Sequence, residues 1–251
     1  RRERRQAAGG PRPDRPPVEA LLHDVNRAFP GAPVSMDEVT LVHWGLLPSV
    51  PSSGPHVQLA KQSVVRDHRP EGVGGLVTVI GVRYTTARHT AEQAVDLALA
   101  QMGRTGPACR TATTPLVGGE FEDAVALERR VRGAWPAASP DDAARLVRSY
   151  GCRVDEVLAL LQEPEGAIRL SPSCPVTRAE VRHATRRELA LTLCDALVRR
   201  TEAGSAGHPG PAAAGEAARV MAGELGWDAA RAAHEVSALA DYYVPAAAAT
   251  S

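Results

Sequence analysis

The residues with the clearest chemical potential lie between Gly75 and Arg88. A short β-branched run, Leu76–Ile80, ends at Gly81 and predicts a strand. Apolar residues at helical spacing follow from about residue 86 and predict a helix that ends near Met102. The segment therefore predicts a strand, a tight turn and a helix in direct succession.

The predicted turn could bind an anion. A helix N-terminus presents N–H groups without helical partners and a partial positive charge, which stabilise anionic groups. Arg83 adds a guanidinium, which pairs well with phosphate, and Thr85 and Thr86 place hydroxyls at the predicted cap. On residue types alone, however, an ordinary capped helix with a surface arginine is the preferred interpretation.

Composition argues against several other kinds of site. The cysteines at 109, 152, 174 and 194 form no C-x-x-C pair and have no histidine cluster beside them, so a metal site is not expected. The 29 basic and 29 acidic residues give no net charge, which argues against a nucleic-acid partner. No apolar run approaches the roughly 20 residues of a membrane span. The predicted location is the cytoplasm or the inner face of the cytoplasmic membrane.

The part of the chain before residue 105 contains few predicted strands. Residues 1–17, rich in Arg, Gly and Pro, predict a flexible arm. Extended structure is expected at Val39–Leu47, in His56–Val65 and at Leu76–Ile80, with loops at Ser49–Pro55 and Pro70–Gly75. So few strands make a poor sheet alone. They are expected to complete a sheet begun by residues outside this chain.

Everything after residue 119 is predicted to be helical. Capping boxes are expected at Ser35 with Glu38 and at Thr177 with Glu180, and Ser139 is expected to cap a helix that begins at Pro140. The predicted helices are Val18–Phe29, about 86–102, Phe121–Trp135, Ser139–Tyr150, Arg153–Leu161, Thr177–Arg200, 212–225 and 228–243.

The segment at 75–88 also resembles a known motif. Its sequence GLVTVIGVRYTTAR, followed by AEQAVD at 91–96, is similar to G-L-(V/I)-(T/S)-x-x-G-G-K-x-T-T-x-R…A-E-x-A-V-D of FAD-dependent glycerol-3-phosphate dehydrogenases. Other similar segments keep the family's order: LLHDVNRAFPG at 21–31, GLLP at 45–48, CRTATTPLVGG at 109–119, EVRHATRRELALTLCDALVRRT at 180–201 and ELGW at 224–227. The resemblance covers about residues 16–243.

The resemblance implies an α+β fold and a redox activity. Residues 18–104 would form the C-terminal end of an FAD- and substrate-binding lobe, residues 105–119 a linker, and residues 120–245 an all-helical domain. The family oxidises sn-glycerol 3-phosphate to dihydroxyacetone phosphate by hydride transfer to FAD, and electrons pass to a quinone or another acceptor. Its N-terminal half, with a G-x-G-x-x-G motif, lies outside this chain. The chain alone is therefore expected to be inactive and to bind FAD weakly.

The resemblance also implies roles for individual residues. The flavin would lie against the turn and helix start formed by Gly81, Val82, Arg83, Tyr84, Thr85 and Thr86. Arg83 occupies the family's Lys position and would contact the substrate phosphate or the flavin edge. Arg66 matches a second phosphate-binding arginine. His43 and His68 could accept the hydroxyl proton, because a base with a pKa near 7 suits that step, although a structural role is the preferred interpretation of a lone histidine.

Two positions depart from the family pattern. Leu47 stands where the family often has Arg, which removes a phosphate ligand, and Val82 replaces the second Gly of G-G-K, which narrows the approach of the ring. The departures indicate either altered phosphate contacts or another substrate. Two alternatives therefore stay open: a non-catalytic helical interaction module derived from this family, and a related FAD-dependent oxidoreductase with another substrate.

One further surface could contact a membrane. Arg186, Arg187, Arg199 and Arg200 could form a basic face on the helix predicted at Thr177–Arg200. Such a face would suit a peripheral contact with a membrane or an acidic partner, but a solvated face is the preferred interpretation.

Overall fold

The computed structural model describes residues 15–43, 47–50 and 58–243 of the 251-residue chain. Most of the predicted arm at 1–17 lies outside these residues, as do 45 and 46 of the GLLP motif and positions 51–57. Residues 15–17 already belong to the first helix, α1, which spans Arg15–Ala28. Within the described ranges, no helix is long and apolar enough to cross a membrane.

The chain forms two compact units. One spans Gly45–Leu116, and the other combines Arg1–Trp44 with Val117–Ser251. The predicted boundaries differ from this division, because they place residues 18–44 with the strands. The assignment of 18–104, 105–119 and 120–245 to a lobe, a linker and a cap domain stays a prediction.

The described residues of the Gly45–Leu116 unit form two antiparallel hairpins and one α-helix. Strand β1, Ser49–Val50, pairs with β2, Gln58–Leu59, so the loop prediction for 49–55 is wrong at its first two residues. Strand β3, Val64–Asp67, pairs with β4, Val77–Ile80, and Arg66 lies opposite Thr78 in the register. Helix α2, Ala87–Gln101, follows, which confirms the predicted strand–turn–helix sequence.

Helix α2 packs on one face of the β3–β4 hairpin. The Gln101 amide donates to Asp67 Oδ1 at 2.8 Å, and its oxygen accepts from the Gly75 N–H at 3.1 Å. Side chains alternate along a strand, so Arg66 and Thr78 point to the face opposite Asp67. The two faces of this hairpin therefore carry different chemical groups.

The second unit is mainly helical, and the predicted α+β fold class is confirmed. Its capping boxes at Ser139 with Asp142 and at Thr177 with Glu180 are present, as is the box at Ser35 with Glu38. One buried apolar cluster lies among the first three helices after residue 123, and a second lies around the later ones. Besides α1, the helices are α3 Ala124–Ala134, α4 Pro140–Tyr150, α5 Val154–Leu161, α6 Arg178–Arg187, α7 Pro211–Leu225 and α8 Ala229–Tyr243.

A β-hairpin interrupts the part that was predicted to be entirely helical. Strand β5, Arg169–Ser171, pairs with β6, Cys174–Thr177. Leu170 on β5 is buried, and Val176 on β6 is fully buried in the apolar cluster around α6 and α7. The hairpin forms because two short strands can bury these side chains where the chain turns back to start α6.

The long helix predicted at Thr177–Arg200 is wrong beyond Arg187. Leu189 adopts a left-handed backbone conformation with φ of 56°, and a π-helical segment, Asp195–Arg200, follows. The Asp195 carboxylate accepts from the Thr192 N–H at 3.0 Å, and Glu235 on α8 accepts from the Leu193 N–H at 2.8 Å. These carboxylates satisfy N–H groups that a continuous helix would use internally, so a new helical segment begins here.

Two closed rings of ion pairs connect α6, α7 and the segment after α5. In each ring, two arginines both contact the same two glutamates. The first ring contains Arg178, Arg219, Glu165 and Glu216. The second contains Arg182, Arg186, Glu163 and Glu224. We call these the two arginine–glutamate rings.

Candidate functional site

The candidate site lies where β4 gives way to α2. After Ile80 the chain is extended at Arg83, with φ of −141° and ψ of 139°, and a single 3₁₀ turn at Tyr84–Thr86 leads into the helix. A Cβ added to Gly81 would meet no atom within 4 Å. The turn is therefore open to a ligand on this side.

A cleft of about 640 Å³ opens at this turn. Its walls are mostly apolar and include Leu47, Val79, Val82 and Ala91, and Arg83 is the one charged residue among the described residues of the lining. An apolar cleft with a few polar groups at its rim is the usual form of a small-molecule or cofactor site.

Few polar side chains of the cleft are free to bind a ligand. The Thr90 hydroxyl donates to the Thr86 carbonyl at 3.0 Å, and the Thr86 hydroxyl donates to the Arg83 carbonyl at 3.2 Å. Thr86 is the N-cap residue of α2, as predicted, but its hydroxyl does not accept a hydrogen bond from the first turn of the helix. Among the described residues, the side chains of Arg83 and Tyr84 have no hydrogen-bond or ion-pair partner, and Tyr84 is fully exposed.

Arg66 and His68 are engaged elsewhere. Arg66 Nε donates to the Glu71 carboxylate at 2.9 Å, and the His68 ring nitrogens lie 3.0 Å from Glu71 Oε2 and 2.8 Å from the Thr78 hydroxyl. These hydrogen bonds, first from His68 and then from Arg66, lower the pKa of Glu71. Arg66 and His68 lie with Glu71 on the face of the β3–β4 hairpin opposite α2. Neither Arg66 nor His68 lines the cleft.

The structure thus brings together only part of the predicted site. Gly81, Val82, Arg83 and Tyr84 line the cleft with Leu47. The side chains of Thr85 and Thr86 are not part of that lining, and His43 is an exposed residue of the other unit. The substrate-binding role of Arg66 and the catalytic roles of His43 and His68 stay predictions.

One residue outside the predicted site, Lys61, lies beside the first cleft. A second cleft of about 580 Å³ shares Leu47, Val82 and Arg83 with the first and is also lined by Gln58 and Lys61. The one signal in the sequence is the residue type, since Lys61 is the only lysine of the chain, but the residue lies in no recognised motif.

Three comparisons identify proteins that are similar to this chain. The model of the C-terminal domain of alpha-glycerophosphate oxidase matches residues 109–232. The glycerol-3-phosphate dehydrogenase of Synechocystis is 31% identical over 186 residues, which are 73% of this chain and 34% of that protein. The glycerol-3-phosphate dehydrogenase of Mycobacterium leprae is 31% identical over 216 residues, 84% of this chain and 36% of that protein.

The chain belongs to the FAD-dependent glycerol-3-phosphate dehydrogenase family. A solved structure agrees in fold: the X-ray structure of the glycerol-3-phosphate dehydrogenase from Bacillus halodurans, complexed with FAD, matches with a TM-score of 0.72. That match has 22% identity and covers 95% of this chain and 46% of the other. The chain spans about a third of the length of the relatives it matches, and it corresponds to the C-terminal part of the family.

Proposed function

We propose that this chain is the C-terminal part of a flavoenzyme that oxidises sn-glycerol 3-phosphate to dihydroxyacetone phosphate, with FAD as the hydride acceptor and a quinone receiving the electrons. The observation that carries the proposal is the cleft at the start of α2. It is formed by Gly81–Tyr84, the residues that the family motif aligns with its flavin-facing turn. The FAD-binding region would come from the part of the family's length that this chain does not span.

The cleft has the chemistry that an isoalloxazine ring requires. Its apolar walls, among them Val79 and Ala91, suit a flat aromatic ring, and Gly81 leaves open space where a side chain would stand. The first turn of α2 has no side-chain cap, and although the Ala87 N–H donates to the Tyr84 carbonyl, the helix dipole can still stabilise negative charge at a ring edge. These features support the assignment of Gly81, Val82, Arg83 and Tyr84 to the flavin site.

The residues of this chain would mainly bind and orient the substrate. The Arg83 guanidinium can form two parallel hydrogen bonds to a phosphate, which fixes both position and direction. The apolar residues on α2 exclude water from the reacting carbon. For Arg66 to contact the phosphate as well, its guanidinium would have to leave Glu71. His68 would likewise have to leave Glu71 or Thr78 to accept the hydroxyl proton, whereas His43 is free among the described residues.

Anaerobic flavin reduction tests the proposal. In the protein that includes the FAD-binding region, sn-glycerol 3-phosphate is expected to bleach the visible flavin absorbance, and glycerol is not. Arg83→Gln is expected to raise KM for the phosphorylated substrate, whereas Arg104→Gln, an exposed arginine beyond the other end of α2, should leave KM unchanged. A flavin that stays oxidised with glycerol 3-phosphate would overturn the proposal. Bleaching by another alcohol or an amine instead would favour the related oxidoreductase.

The 251-residue chain alone is expected to purify without colour. The described residues of this chain form one wall of the proposed flavin site, and most cofactor contacts would come from the FAD-binding region. Tight stoichiometric FAD binding by the chain alone, measured by titration of flavin fluorescence, would contradict this division of the site.

We also propose that the protein is cytoplasmic and contacts the inner face of the cytoplasmic membrane. Arg187 and Arg200 have no partner among the described residues, and such free guanidinium groups can bind anionic headgroups. Arg186 and Arg199 are already paired, with Glu163 and Asp195 among their partners. Cosedimentation with phosphatidylglycerol vesicles should be lost in the double variant Arg187→Gln/Arg200→Gln. Equal binding of that variant would remove these residues from the contact.

A further inference from the structure

His183 lies between two carboxylates in the interior of the mainly helical unit. Its side chain is 2% exposed, and its ring meets the Tyr150 ring edge-on at a centroid distance of 5.1 Å. Nε2 lies 3.1 Å from Glu156 Oε2 on α5, and Nδ1 lies 4.0 Å from Glu188 Oε1 at the end of α6. We propose that His183 is a proton-operated latch: protonation of Nδ1 binds Glu188 and fixes the segment that follows α6, and loss of that proton releases it. This inference is independent of the proposed function.

A neutral imidazole cannot satisfy both of these contacts. It carries a single N–H, whereas each ring nitrogen here faces a carboxylate oxygen, which can only accept when it is ionised. Nε2 keeps its proton for Glu156, at hydrogen-bond distance, so the neutral ring turns an unprotonated Nδ1 toward Glu188. Among the described residues, Nδ1 and Glu188 Oε2 are both buried and have no hydrogen-bond partner. A second proton on the ring converts two facing acceptors into a charged hydrogen bond.

The groups that face the ring come from each element packed against it. Arg153, just before α5, donates to the two Glu156 oxygens at 2.6 and 2.7 Å, and these hydrogen bonds are the main reason that the pKa of Glu156 falls to about 2. Glu156 therefore stays ionised between about pH 5 and 8, the range in which histidine changes its charge. The other titratable groups that contact His183 or line a cleft with it are Tyr150, Glu163, Arg186, Arg187 and Glu188.

Protons can reach this buried ring from the solvent. An open cleft of about 380 Å³ is lined by Glu156, His183, Arg186 and Arg187, although the imidazole itself is almost fully buried. The Glu188 side chain is 26% exposed, so it can move away from the ring while α5 and α6 stay folded. A proton-dependent contact requires a route for the proton and a partner that can leave, and both are present here.

Glu188 stands where the chain leaves α6. Its N–H donates to the Ala184 carbonyl at 3.2 Å, and the N–H of the fully buried Ala190 donates to the same carbonyl at 3.0 Å. Leu189, between them, has a left-handed backbone conformation and is 80% exposed. A Glu188 side chain that His183 binds therefore holds this exposed turn on the helical core. The contact is complete at the acid end of the histidine range and is lost as the pH rises.

Nuclear magnetic resonance of the 251-residue chain, labelled with ¹⁵N-histidine, measures the protonation of each ring nitrogen. The chain has eight histidines, and the variant His183→Gln assigns the His183 signals by removing them, as do nuclear Overhauser contacts with the Tyr150 ring. As the pH rises from about 5 to about 8, the Nδ1 signal is expected to change from the protonated to the unprotonated position. Nε2 is expected to stay protonated, because Glu156 holds that proton. Loss of the Nε2 proton instead, or a single protonation state throughout this range, would overturn the proposal.

Hydrogen exchange at the Ala190 N–H measures whether the contact holds the turn. Its protection, corrected for the pH dependence of the chemical step, is expected to fall about 10-fold as the pH rises through the same range, because one charged hydrogen bond is lost. Glu188→Gln should remove this pH dependence, since a neutral amide gains little from the charge on the ring.

A matched variant separates the latch from a general effect of charge. Glu122→Gln removes an exposed glutamate of the same unit that has no partner among the described residues, and it should keep the full change in Ala190 protection. Protection that does not vary with pH in the unaltered chain would overturn the proposal. So would an equal pH dependence in the Glu188→Gln and Glu122→Gln variants, because the Glu188 carboxylate would then not be the partner of the proton.

Discussion

Arg145 and Glu180 form a buried ion pair whose disruption should strongly destabilise the helical unit. Their side chains are 5% and 1% exposed. Arg145 Nη1 contacts Glu180 Oε1, and Nη2 donates to Glu180 Oε2 at 3.0 Å and to the Pro175 carbonyl at 3.1 Å. Glu180 also closes the capping box of α6 by accepting from the Thr177 N–H at 2.9 Å. The Glu180 carboxylate therefore both pairs with the buried Arg145 and caps the start of α6.

The substitution Arg145→Met is expected to lower the free energy of unfolding by about 3–5 kcal/mol. Methionine fills much of the space, but it leaves the Glu180 carboxylate buried without its cation, and breaking a buried pair from one side typically costs this amount. Arg199→Met is the matched control, since Arg199 is 54% exposed and pairs with Asp195 at the surface. Exposed pairs of this kind contribute about 0–1 kcal/mol.

Urea denaturation followed by far-UV circular dichroism measures both variants. The double variant Arg145→Met/Glu180→Gln should recover part of the loss, because glutamine removes the buried charge and can still serve in the capping box. A loss for Arg145→Met as small as that for Arg199→Met would refute the reasoning. So would a double variant that is less stable than Arg145→Met alone, because the unpaired charge would then not be the cause.

Three other changes should alter the stability of the same unit. The hydrogen bonds to Glu156, first from Arg153 and then from His183, lower the pKa of Glu156 to about 2. Ionised Glu156 should therefore contribute fully to the free energy of unfolding above pH 4.5, the pKa of this carboxyl group in the unfolded chain, and the contribution should be lost as the pH falls toward 2. In that pH range, the urea midpoint of Glu156→Gln should therefore depend less on pH than the midpoint of the unaltered protein does. Gly151→Ala should cost at least about 2 kcal/mol, because φ is 55° and a Cβ would lie 1.9 Å from the Gly118 carbonyl oxygen, whereas Gly226→Ala meets no atom within 4 Å and should cost only about 1 kcal/mol. Equal thermal shifts for the two would contradict this. Leu189→Asn should stabilise by about 0.5–1 kcal/mol, because asparagine tolerates the left-handed conformation and the leucine is 80% exposed; an unchanged melting temperature would count against this.

The local signals in the sequence predicted most helix boundaries correctly. Ser139 with Pro140 and Thr177 with Glu180 begin helices as expected, because a cap is satisfied by residues close along the chain. The break after Arg187 was missed, since the apolar spacing continues through it and Glu235 on a distant helix accepts the Leu193 N–H. Thr192 with Asp195 is a second capping pattern inside the predicted helix, and it could have indicated the break.

The candidate site likewise has some features that depend on residues close together in the chain and others that depend on residues far apart. The turn at Gly81–Tyr84 could be predicted because a strand, a glycine and a helix follow one another directly. The engagement of Arg66 and His68 by Glu71 depends on how the β3–β4 hairpin turns, which residue types alone do not specify. Lys61 and Arg83 line the same cleft although they follow strands of different hairpins, so no motif in the sequence contains both residues.

The two arginine–glutamate rings bear on how this unit tolerates mutation. Every member of a ring has two partners of opposite charge, so the loss of one side chain leaves each remaining member with at least one. The same holds in the ring that contains Arg182 and Arg186. A single substitution in either ring therefore leaves no charged ring member between α6 and α7 without a partner of opposite charge. During evolution, the rings therefore allow more single substitutions that leave no unpaired charge at this interface than a simple ion pair would allow.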